Sequence, residues 1–409
     1  MSSFAIVLLS ETMFGGAQKR FLNLHHFFRQ KYGDKAWFIV TPRMKSEIEA
    51  TYGIEFLKGV YAIGEINTKL SGDTNADSIK TLKPSSGLKK WIKSFWIFDL
   101  YFYFKSKNRT QKEFEIIDQF TVEKDIDRLL AVYTGVLPLY FYFNKQKRNK
   151  RIIFCNMDSW FSHFETNPIK RFLRQYTLFH RAHEEADHID ILSPFILEGL
   201  KAKNYLPLKQ SYSITACSFI DYSTCVSGEK AELEFVFSGR LEEDKNPLLF
   251  IQAAIKLGEK YPQIKFHILG KGRLTEKINT LLSTYRLDNI IIHGYVKNPC
   301  IIFKNTSVFV SLQKENNYPS QSVLEAMACG NAVIASDVGD TRLFVSEQNG
   351  WLIQNNEEEL IQAMEFCIQN PELVQSKAAF AYDYVRENFS VERASDYYYS
   401  LLYPKDGKI

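Results

Sequence analysis

The sequence has no hydrophobic run long enough to form a membrane-spanning helix. Such a helix needs about 20 consecutive apolar residues, and the two longest apolar stretches, 95–104 and 133–143, are much shorter. The apolar residues 4–9 lack a basic leader and are followed by Ser10 and Glu11, so they predict a first β-strand rather than a signal peptide. We therefore expect a cytoplasmic protein.

The sequence also has few cysteines, and none of them is paired in a motif. There is no C-x-x-C and no accompanying histidine cluster, which argues against a disulfide framework and against a zinc site. We interpret the cysteines as small apolar residues in a reducing compartment. The six are Cys155, Cys217, Cys225, Cys300, Cys329 and Cys367.

Charge of either sign is not in excess. The 51 basic and 47 acidic residues leave a formal net charge of +4, so global charge gives no indication of a nucleic-acid partner. What the chain does have is an alternation of short apolar runs with longer amphipathic stretches, which is typical of parallel α/β units. Because 409 residues exceed the roughly 250–300 that one core accommodates, we predict two α/β domains, 1–215 and 216–385.

Several predicted strands of the second half end in or near glycine. Glu234–Ser238 is followed by Gly239, Lys265–Leu269 by Gly270, and Ala332–Ala335 by a turn that contains Gly339. A single glycine of this kind usually makes only a tight turn. Several at successive strand ends favour a shared ligand cleft, because ligands of open α/β sheets bind at the carboxyl ends of the strands.

Two cations follow the first of these strands. Arg240 comes directly after Gly239, and Lys245 precedes a predicted helix that opens at Pro247. A guanidinium fork beside an ammonium suits a diphosphate, although solvated surface charges are the ordinary alternative. No D-x-D motif lies at a strand end, which argues against a metal-bound diphosphate, and Asp125-Ile126-Asp127 is predicted to lie in a charged helical stretch.

A second group of polar residues surrounds the start of a predicted helix at 321–329. Pro319 and Ser320 are typical of a helix entry, where free backbone N–H groups attract anions. Glu325 follows about one turn later among apolar residues, where a carboxylate needs a partner, and both ribose hydroxyls would provide one. A capping or exposed glutamate is the alternative. A third group, Gly15-Gly16, lies between the first strand and the first helix, but the segment is not G-x-G-x-x-G.

With these motifs in order, the chain resembles the retaining glycosyltransferases of family 4. That resemblance implies the GT-B architecture of two facing Rossmann-like domains with a cleft between them, and a C-terminal helix, 386–409, that crosses back to the first domain. The matching segments are Phe-Ser-Gly-Arg-Leu at 237–241 with Lys245, Ile-Leu-Gly-Lys-Gly at 268–272, His-Gly-Tyr-Val at 293–296, residues 318–330, Val-Ile-Ala-Ser-Asp-Val-Gly at 333–339, and Asn-Gly-Trp-Leu-Ile at 349–353.

The resemblance also implies roles for individual residues. Arg240 and Lys245 would bind the donor diphosphate, Glu325 would bind the ribose, and neither a metal nor another cofactor would take part in the chemistry. Gly16 would contact phosphate or sugar, and Tyr295-Val296 would border the base. The remaining donor-side residues are Gly15, Gly239, Gly270, Tyr318, Pro319, Ser320, Gln321 and Ser322.

The sequence departs from the family pattern at two places. The family usually has two glutamates seven residues apart, but Asn317 occupies the first position relative to Glu325. We predict that Glu315 takes the role through a longer loop, with Asn317 as the alternative. The acceptor-side histidine is also displaced, and Asn156, Asp158 and His163 are the candidates to replace it.

A basic and aromatic segment, 80–112, is a candidate acceptor-side surface. It contains eight aromatic residues and nine lysines or arginines against a single acid, Asp99. This mixture suits an anionic membrane surface. Single-stranded nucleic acid would need a stacking module that is not evident, so we expect no nucleic-acid partner. A helix with an aromatic core face and solvated lysines is an equally reasonable interpretation.

The predicted function is the transfer of a sugar from a nucleotide-diphosphate sugar to a glycan or lipid-linked acceptor, in surface polysaccharide synthesis. A place on the inner face of the cell membrane would suit a lipid-linked acceptor. Two alternatives are a sugar-nucleotide epimerase and an inactive binding protein on the same fold. An epimerase would need catalytic acids in both domains, and nothing in the sequence marks them.

Overall fold

The computed structural model describes residues 2–9, 15–64, 111–132, 150–156, 186–202, 211–215, 219–222, 225–228, 230, 232–285, 287–316, 318 and 320–404. The chain divides into two compact units. The first unit comprises Met1–Thr215 together with Ser395–Ile409, and the second comprises Ala216–Ala394.

The first unit contains a seven-stranded parallel sheet. Its strands in chain order are β1 (Ser3–Leu8), β2 (Ala36–Val40), β3 (Val60–Ala62), β4 (Ile126–Val132), β5 (Arg151–Asn156), β6 (His188–Ile191) and β7 (Tyr212–Ile214). Their order in the sheet is β3-β2-β1-β4-β5-β6-β7. The central strand β1 is buried from Phe4 to Leu8, as expected of a parallel strand covered on both faces.

Helices connect these strands, and their ends are set by local sequence. In chain order they are α1 (Gly16–Tyr32), α2 (Pro42–Tyr52), α3 (111–123) and α4 (Pro194–Ala202). At the start of α2 the Thr41 side chain accepts a hydrogen bond of 3.3 Å from the Met44 N–H, and Pro42 occupies the first turn. The helix ends at Gly53, whose φ of 97° favours glycine.

The second unit contains a six-stranded parallel sheet. Its strands are β8 (Glu234–Ser238), β9 (Lys265–Leu269), β10 (Ile290–Gly294), β11 (Val308–Ser311), β12 (Ala332–Ser336) and β13 (Gly350–Ile353). The order in the sheet is β10-β9-β8-β11-β12-β13. The chain thus builds outward from β8 in one direction and then returns to build outward from β11 in the other. The boundary between β8 and β11 is therefore a topological switch point, where open α/β sheets bind their ligands.

Helices pack on both faces of this sheet. They are α5 (Pro247–Lys260), α6 (Thr275–Ser283), α7 (Cys300–Phe303), α8 (Gln321–Ala328), α9 (Glu357–Gln369) and α10 (Pro371–Asn388). Phe235 and Phe237 of β8 belong to one buried apolar cluster and Val236 belongs to another. This alternation follows from the strand, since successive side chains point to opposite faces.

The last helix, α11 (Val391–Leu402), belongs to the first unit from Ser395 onward. Tyr398 is fully buried. The Tyr399 ring stacks on Tyr32 with 4.6 Å between centroids. Among the helices of the described residues, none combines the length and apolar character that crossing a membrane requires.

The observed elements agree with most of the predicted ones, and two particulars differ. The predicted strands Glu234–Ser238 and Lys265–Leu269 coincide with β8 and β9. The helical interpretation of Asp125-Ile126-Asp127 is wrong, because Asp125 is a turn residue with φ of 51° and Asp127 lies on β4. Polar residues at a strand's start obscured a buried strand that begins at Ile126. The short strand β3 was not predicted.

Candidate functional site

A pocket lies at the switch point of the second sheet. It has a volume of ≈ 290 Å³, which includes space open to solvent. The carboxyl ends of β8 and β11 form its floor, and the first turn of α8 forms one side. Its lining residues are Phe237, Ser238, Gly239, Lys245, Val310, Ser311, Leu312, Gln313 and Ser322.

Lys245 provides the positive charge of this pocket. Its side chain is 17% exposed, and its Nζ donates a hydrogen bond of 2.5 Å to Oε1 of Gln313. Burial lowers the pKa of Lys245 to about 8; nearby Asp244 opposes the shift and Arg240 adds to it. Because its hydrogen-bond partner is a neutral amide, that bond positions the ammonium without cancelling its charge, which suits an anionic ligand.

Arg240 lies beside the pocket on the loop that follows β8. Its guanidinium donates to Asp244 Oδ2 at 2.8 Å, and its side chain is 66% exposed. The same Asp244 oxygen is 4.0 Å from Lys245 Nζ. Asp244 therefore sits between the two cations and holds the exposed guanidinium close to the buried ammonium.

The start of α8 contributes backbone donors to the same region. Ser320 precedes the helix, is buried, and makes no side-chain hydrogen bond to the helix's first N–H groups. Its hydroxyl lies 3.2 Å from that of Ser322. The N–H groups of a helix's first turn have no intrahelical acceptor and attract anions. The predicted residues Asn317 and Pro319 lie outside the described residues.

Glu325 is 5% exposed, as the apolar sequence around it predicted. Gln321 Nε2 donates to Glu325 Oε1 at 3.4 Å, so the amide of the first turn is turned toward the carboxylate. Glu315, which was predicted to take the role of the family's first glutamate, is exposed on the loop after β11. Of the two predicted carboxylates, Glu325 is therefore buried and Glu315 lies on the surface.

The loop after β11 is held by hydrogen bonds between side chains and the backbone of neighbouring loops. Asn316 Oδ1 accepts a hydrogen bond of 3.0 Å from the Asp340 N–H. Ser336 donates to the Gln313 carbonyl at 2.7 Å, and Asn355 donates to the same carbonyl at 3.0 Å. Gln313 was missed, although its place at the carboxyl end of a strand beside β8 is a signal of the kind that identified Gly239.

Gly270 has a role inside the protein. Its φ is 136°, and a Cβ built on it would lie 1.8 Å from the Gly239 carbonyl oxygen. Its N–H donates to the Gly294 carbonyl at 2.7 Å. The glycine therefore lets the loops after β8 and β9 approach each other closely, so the backbone that carries Arg240 and Lys245 depends on it.

The remaining predicted donor residues of the second unit differ in exposure. Tyr295 is 68% exposed, whereas Val296 packs against the apolar cluster beneath it. Tyr318 is half-buried and its ring contacts Phe344 with 5.6 Å between centroids.

The predicted residues of the first unit lie at strand and helix ends. Gly15 precedes α1, Gly16 is its first residue, and both are exposed. The Gly15 N–H donates to Gln18 Oε1 at 3.1 Å. Asn156 is the last residue of β5. Asp158 and His163, as well as residues 80–110 of the basic and aromatic segment, lie outside the described residues.

Comparison with known proteins finds similarity to glycosyltransferases, chiefly in the second unit. Residues 226–383 match the model of the family described as Glycosyl transferases group 1. An uncharacterised glycosyltransferase of Methanocaldococcus jannaschii is 26% identical over 57% of this chain and 60% of its own length. The poly(ribitol-phosphate) alpha-N-acetylglucosaminyltransferase of Staphylococcus aureus is 24% identical over 53% of this chain and 42% of its own length. The chain thus spans about half the length of these relatives.

Solved structures extend the similarity to the whole fold. Anabaena HepE, in a complex with UDP and glucose, has a TM-score of 0.70 at 13% identity, and the match covers 99% of this chain and 100% of that one. The predicted GT-B fold, with two α/β units built on parallel sheets, is thereby confirmed. The pocket at β8 and β11 lies within the second unit, in the segment 226–383 that matches the Glycosyl transferases group 1 model.

Proposed function

We propose that this protein is a retaining glycosyltransferase of family 4. It transfers a sugar from a nucleotide-diphosphate sugar to a glycan or lipid-linked acceptor. The observation that carries the proposal is the position of Lys245: a buried ammonium in a pocket at the switch point of a glycosyl transferases group 1 domain, beside the start of α8.

The diphosphate is bound without a metal. Lys245 supplies a point charge inside the pocket, Arg240 supplies a bidentate fork at its edge, and the first N–H groups of α8 supply further donors. These groups are fixed before the reaction, so they stabilise the charge that develops on the departing diphosphate. We therefore expect turnover to persist in EDTA.

Different carboxylates of the protein contact the nucleoside and the transferred sugar. Glu325, buried one turn into α8, accepts hydrogen bonds from the ribose hydroxyls. Glu315, on the loop after β11, contacts the transferred sugar, with Asn317 as the other candidate. Exposure of Glu315 in the free protein leaves its carboxylate accessible to a sugar that enters from solvent.

The reaction breaks the bond between the sugar's anomeric carbon and the diphosphate oxygen. The acceptor hydroxyl attacks the same face, its oxygen forms the new bond, and its proton passes to the departing phosphate oxygen. The anomeric configuration is therefore kept. Arg240, Lys245 and the α8 N–H groups carry the charge of the leaving group throughout.

The acceptor is a surface polysaccharide or its lipid-linked precursor. Support comes from the Staphylococcus relative, whose name describes transfer to a poly(ribitol-phosphate). Residues 80–112 would hold the protein on an anionic membrane, on its inner face. Co-sedimentation with vesicles of anionic lipid tests this. A Lys89/Lys90/Lys93 triple-alanine variant should lose binding, and equal binding of both proteins would contradict it.

The donor is identified first by thermal shift with UDP-, GDP- and ADP-sugars, beginning with UDP-glucose because HepE was solved with UDP and glucose. A ligand bound to the native state raises stability by RT ln(1 + [L]/Kd), so the true donor gives the largest shift. Product analysis by NMR then reads the anomeric configuration. Interconversion of donor epimers without acceptor would instead indicate an epimerase, and binding without turnover would indicate a binding protein.

Lys245→Ala tests the site itself. Removing one charge-stabilising donor typically costs about 10²–10³ in rate. Lys314→Ala is the matched control, since that lysine lies on the neighbouring loop with its side chain 47% exposed. Turnover of Lys245→Ala within a few-fold of Lys314→Ala would contradict the proposed site.

A further inference from the structure

Three cysteines that are far apart in the sequence converge in the second unit. Cys225 precedes β8, Cys300 begins α7, and Cys329 directly follows α8. Their sulfur atoms all lie within 4.8 Å of one another, and Sγ of Cys225 is 2.9 Å from Sγ of Cys300. All three residues are buried. Chain spacing gave no sign of this cluster, because folding alone brings residues 225, 300 and 329 together.

One cation lies next to the sulfur cluster. The half-buried Lys230 donates hydrogen bonds to the carbonyls of Thr306 and Gly330, and Gly330 is the neighbour of Cys329. Apolar side chains such as Phe303 and Val323 belong to the same buried cluster, and the Glu325 carboxylate interacts electrostatically with Cys300. A negative charge on the sulfurs would therefore find compensation in Lys230, repulsion from Glu325 and little hydration.

We propose that Cys225, Cys300 and Cys329 form a binding site for one thiophilic metal ion, held by three thiolates. With metal–sulfur bonds of about 2.3 Å, three sulfurs around one ion lie roughly 3.8–4.0 Å apart. The observed sulfur atoms are already within 4.8 Å, so small side-chain rotations suffice. The ligand type selects soft ions, chiefly zinc(II) and copper(I).

Two features of the cluster bear on which ion it takes. Three thiolates and Zn²⁺ leave one negative charge, which the Lys230 ammonium offsets. Three sulfur ligands also suit copper(I), and among the described residues the cluster contains only these three potential ligands. Both ions share the trithiolate chemistry, and the experiment below distinguishes them.

Metal binding at this site is coupled to proton release. A thiol must lose its proton before its sulfur can bind a metal ion as a thiolate, so metal affinity rises with pH.

The site lies at the opposite end of α8 from the donor pocket. Eight residues of helix at 1.5 Å each separate the two ends by about 12 Å. A metal at Cys329 would fix the end of α8 whose other end carries Ser320 and Ser322. The metal is thus structural and does not depend on the proposed transferase activity.

The test uses the reduced, metal-free full chain, titrated anaerobically with Zn²⁺ against a chromophoric chelator and separately with Cu⁺ against a copper(I) chelator. We expect one ion per chain, with two to three protons released per ion near neutral pH. Cys300→Ala should weaken binding by at least about 100-fold, exceeding the effect of losing an outer-shell group. Cys367→Ala is the matched control, because Cys367 is buried and free in the same unit but outside the cluster.

The outcomes are separable from folding. Circular dichroism shows whether Cys300→Ala folds. If it does not fold, the number of protons that the wild-type chain releases per bound ion shows whether the thiols bind the metal. Tight binding of either ion with proton release supports the site, and the tighter ion is its occupant. Failure of both ions to bind stoichiometrically, or equal affinity in Cys300→Ala and Cys367→Ala, overturns it.

Discussion

The Lys245 ammonium donates to the side-chain oxygen of Gln313 at 2.5 Å, linking the loop after β8 to the end of β11. The acceptor is a neutral amide, so this hydrogen bond itself cancels no charge, while the Asp244 carboxylate, 4.0 Å from Lys245 Nζ, is shared with Arg240. A carboxylate at the same place would hold the lysine more strongly but would cancel that charge. The identity of residue 313 thus decides whether the pocket attracts an anion.

Gln313→Glu should therefore weaken donor binding. The new carboxylate would pair with Lys245 and repel the diphosphate, and we expect the Kd of the nucleotide-sugar to rise at least about tenfold, or ~1.4 kcal/mol. Calorimetric titration measures this. Gln313→Ala, which removes the hydrogen bond but adds no charge, should have a smaller effect. If Gln313→Glu bound donor as tightly as wild type, the lysine would not contact the diphosphate.

Donor affinity should fall as pH rises through the pKa of Lys245. Burial lowers that pKa to about 8, so the side chain is charged below pH 8 and increasingly neutral above it. A bound diphosphate favours the charged form, and binding near pH 8.5 should take up protons. Calorimetry in two buffers of different ionisation enthalpy counts them. Lys245→Arg stays charged over this range, so its donor affinity should not fall with pH and its binding should take up no protons. If Lys245→Arg took up as many protons as wild type, a group other than Lys245 would be the one that titrates.

Gly270→Ala should destabilise the second unit. Its φ of 136° is unfavourable for alanine, and the added Cβ would meet the Gly239 carbonyl oxygen at 1.8 Å. We expect a loss of more than about 2 kcal/mol in the free energy of unfolding, measured by urea denaturation. Gly239→Ala is the control, since the nearest atom to its Cβ is a Lys245 side-chain carbon at 3.9 Å. Equal stability of the two variants would contradict the packing described.

Asp190→Asn should change how the stability of the first unit depends on pH. Burial raises the pKa of Asp190 to about 7, although a hydrogen bond of 2.6 Å from the Tyr397 hydroxyl opposes the shift. The pKa of Asp190 is higher in the folded protein than in the unfolded chain. The contribution of protonated Asp190 to the free energy of unfolding is therefore fully present below about pH 4 and is lost as the pH rises to 7. The loss amounts to at most roughly 4 kcal/mol.

Urea denaturation of wild type and Asp190→Asn at pH 5 and pH 7.5 measures the part of this loss that falls between those two values, at most about 3 kcal/mol. Asparagine keeps an acceptor for Tyr397 but cannot ionise, so the variant should gain stability relative to wild type at pH 7.5. The pKa of neighbouring His188 is lowered, chiefly by burial, but His188 titrates in both proteins and largely cancels. A constant difference between the two pH values would show that Asp190 does not titrate in this range.

The sequence predicted the parts of the site that depend on strand ends. Gly239 and Lys245 were located because β8 is a continuous apolar run with turn residues after it, and β11 and α8 have similarly clear ends. The hydrogen bonds of Asn316 and Asn355 were not predicted, since they join loops that only the sheet order brings together. Convergence of Cys225, Cys300 and Cys329 was missed for the same reason.

The place of α11 in the fold also has a consequence for the order in which the chain is completed during synthesis. Domains generally fold as they emerge, the N-terminal one first. Here Tyr398 and Leu402, which are synthesised after every residue of the second unit, are fully buried in the unit that contains β1. All residues of the second unit are therefore available before α11 is made, whereas the first unit cannot complete its core until α11 has emerged. The unit that contains β1 is thus completed after the unit that follows it in the chain.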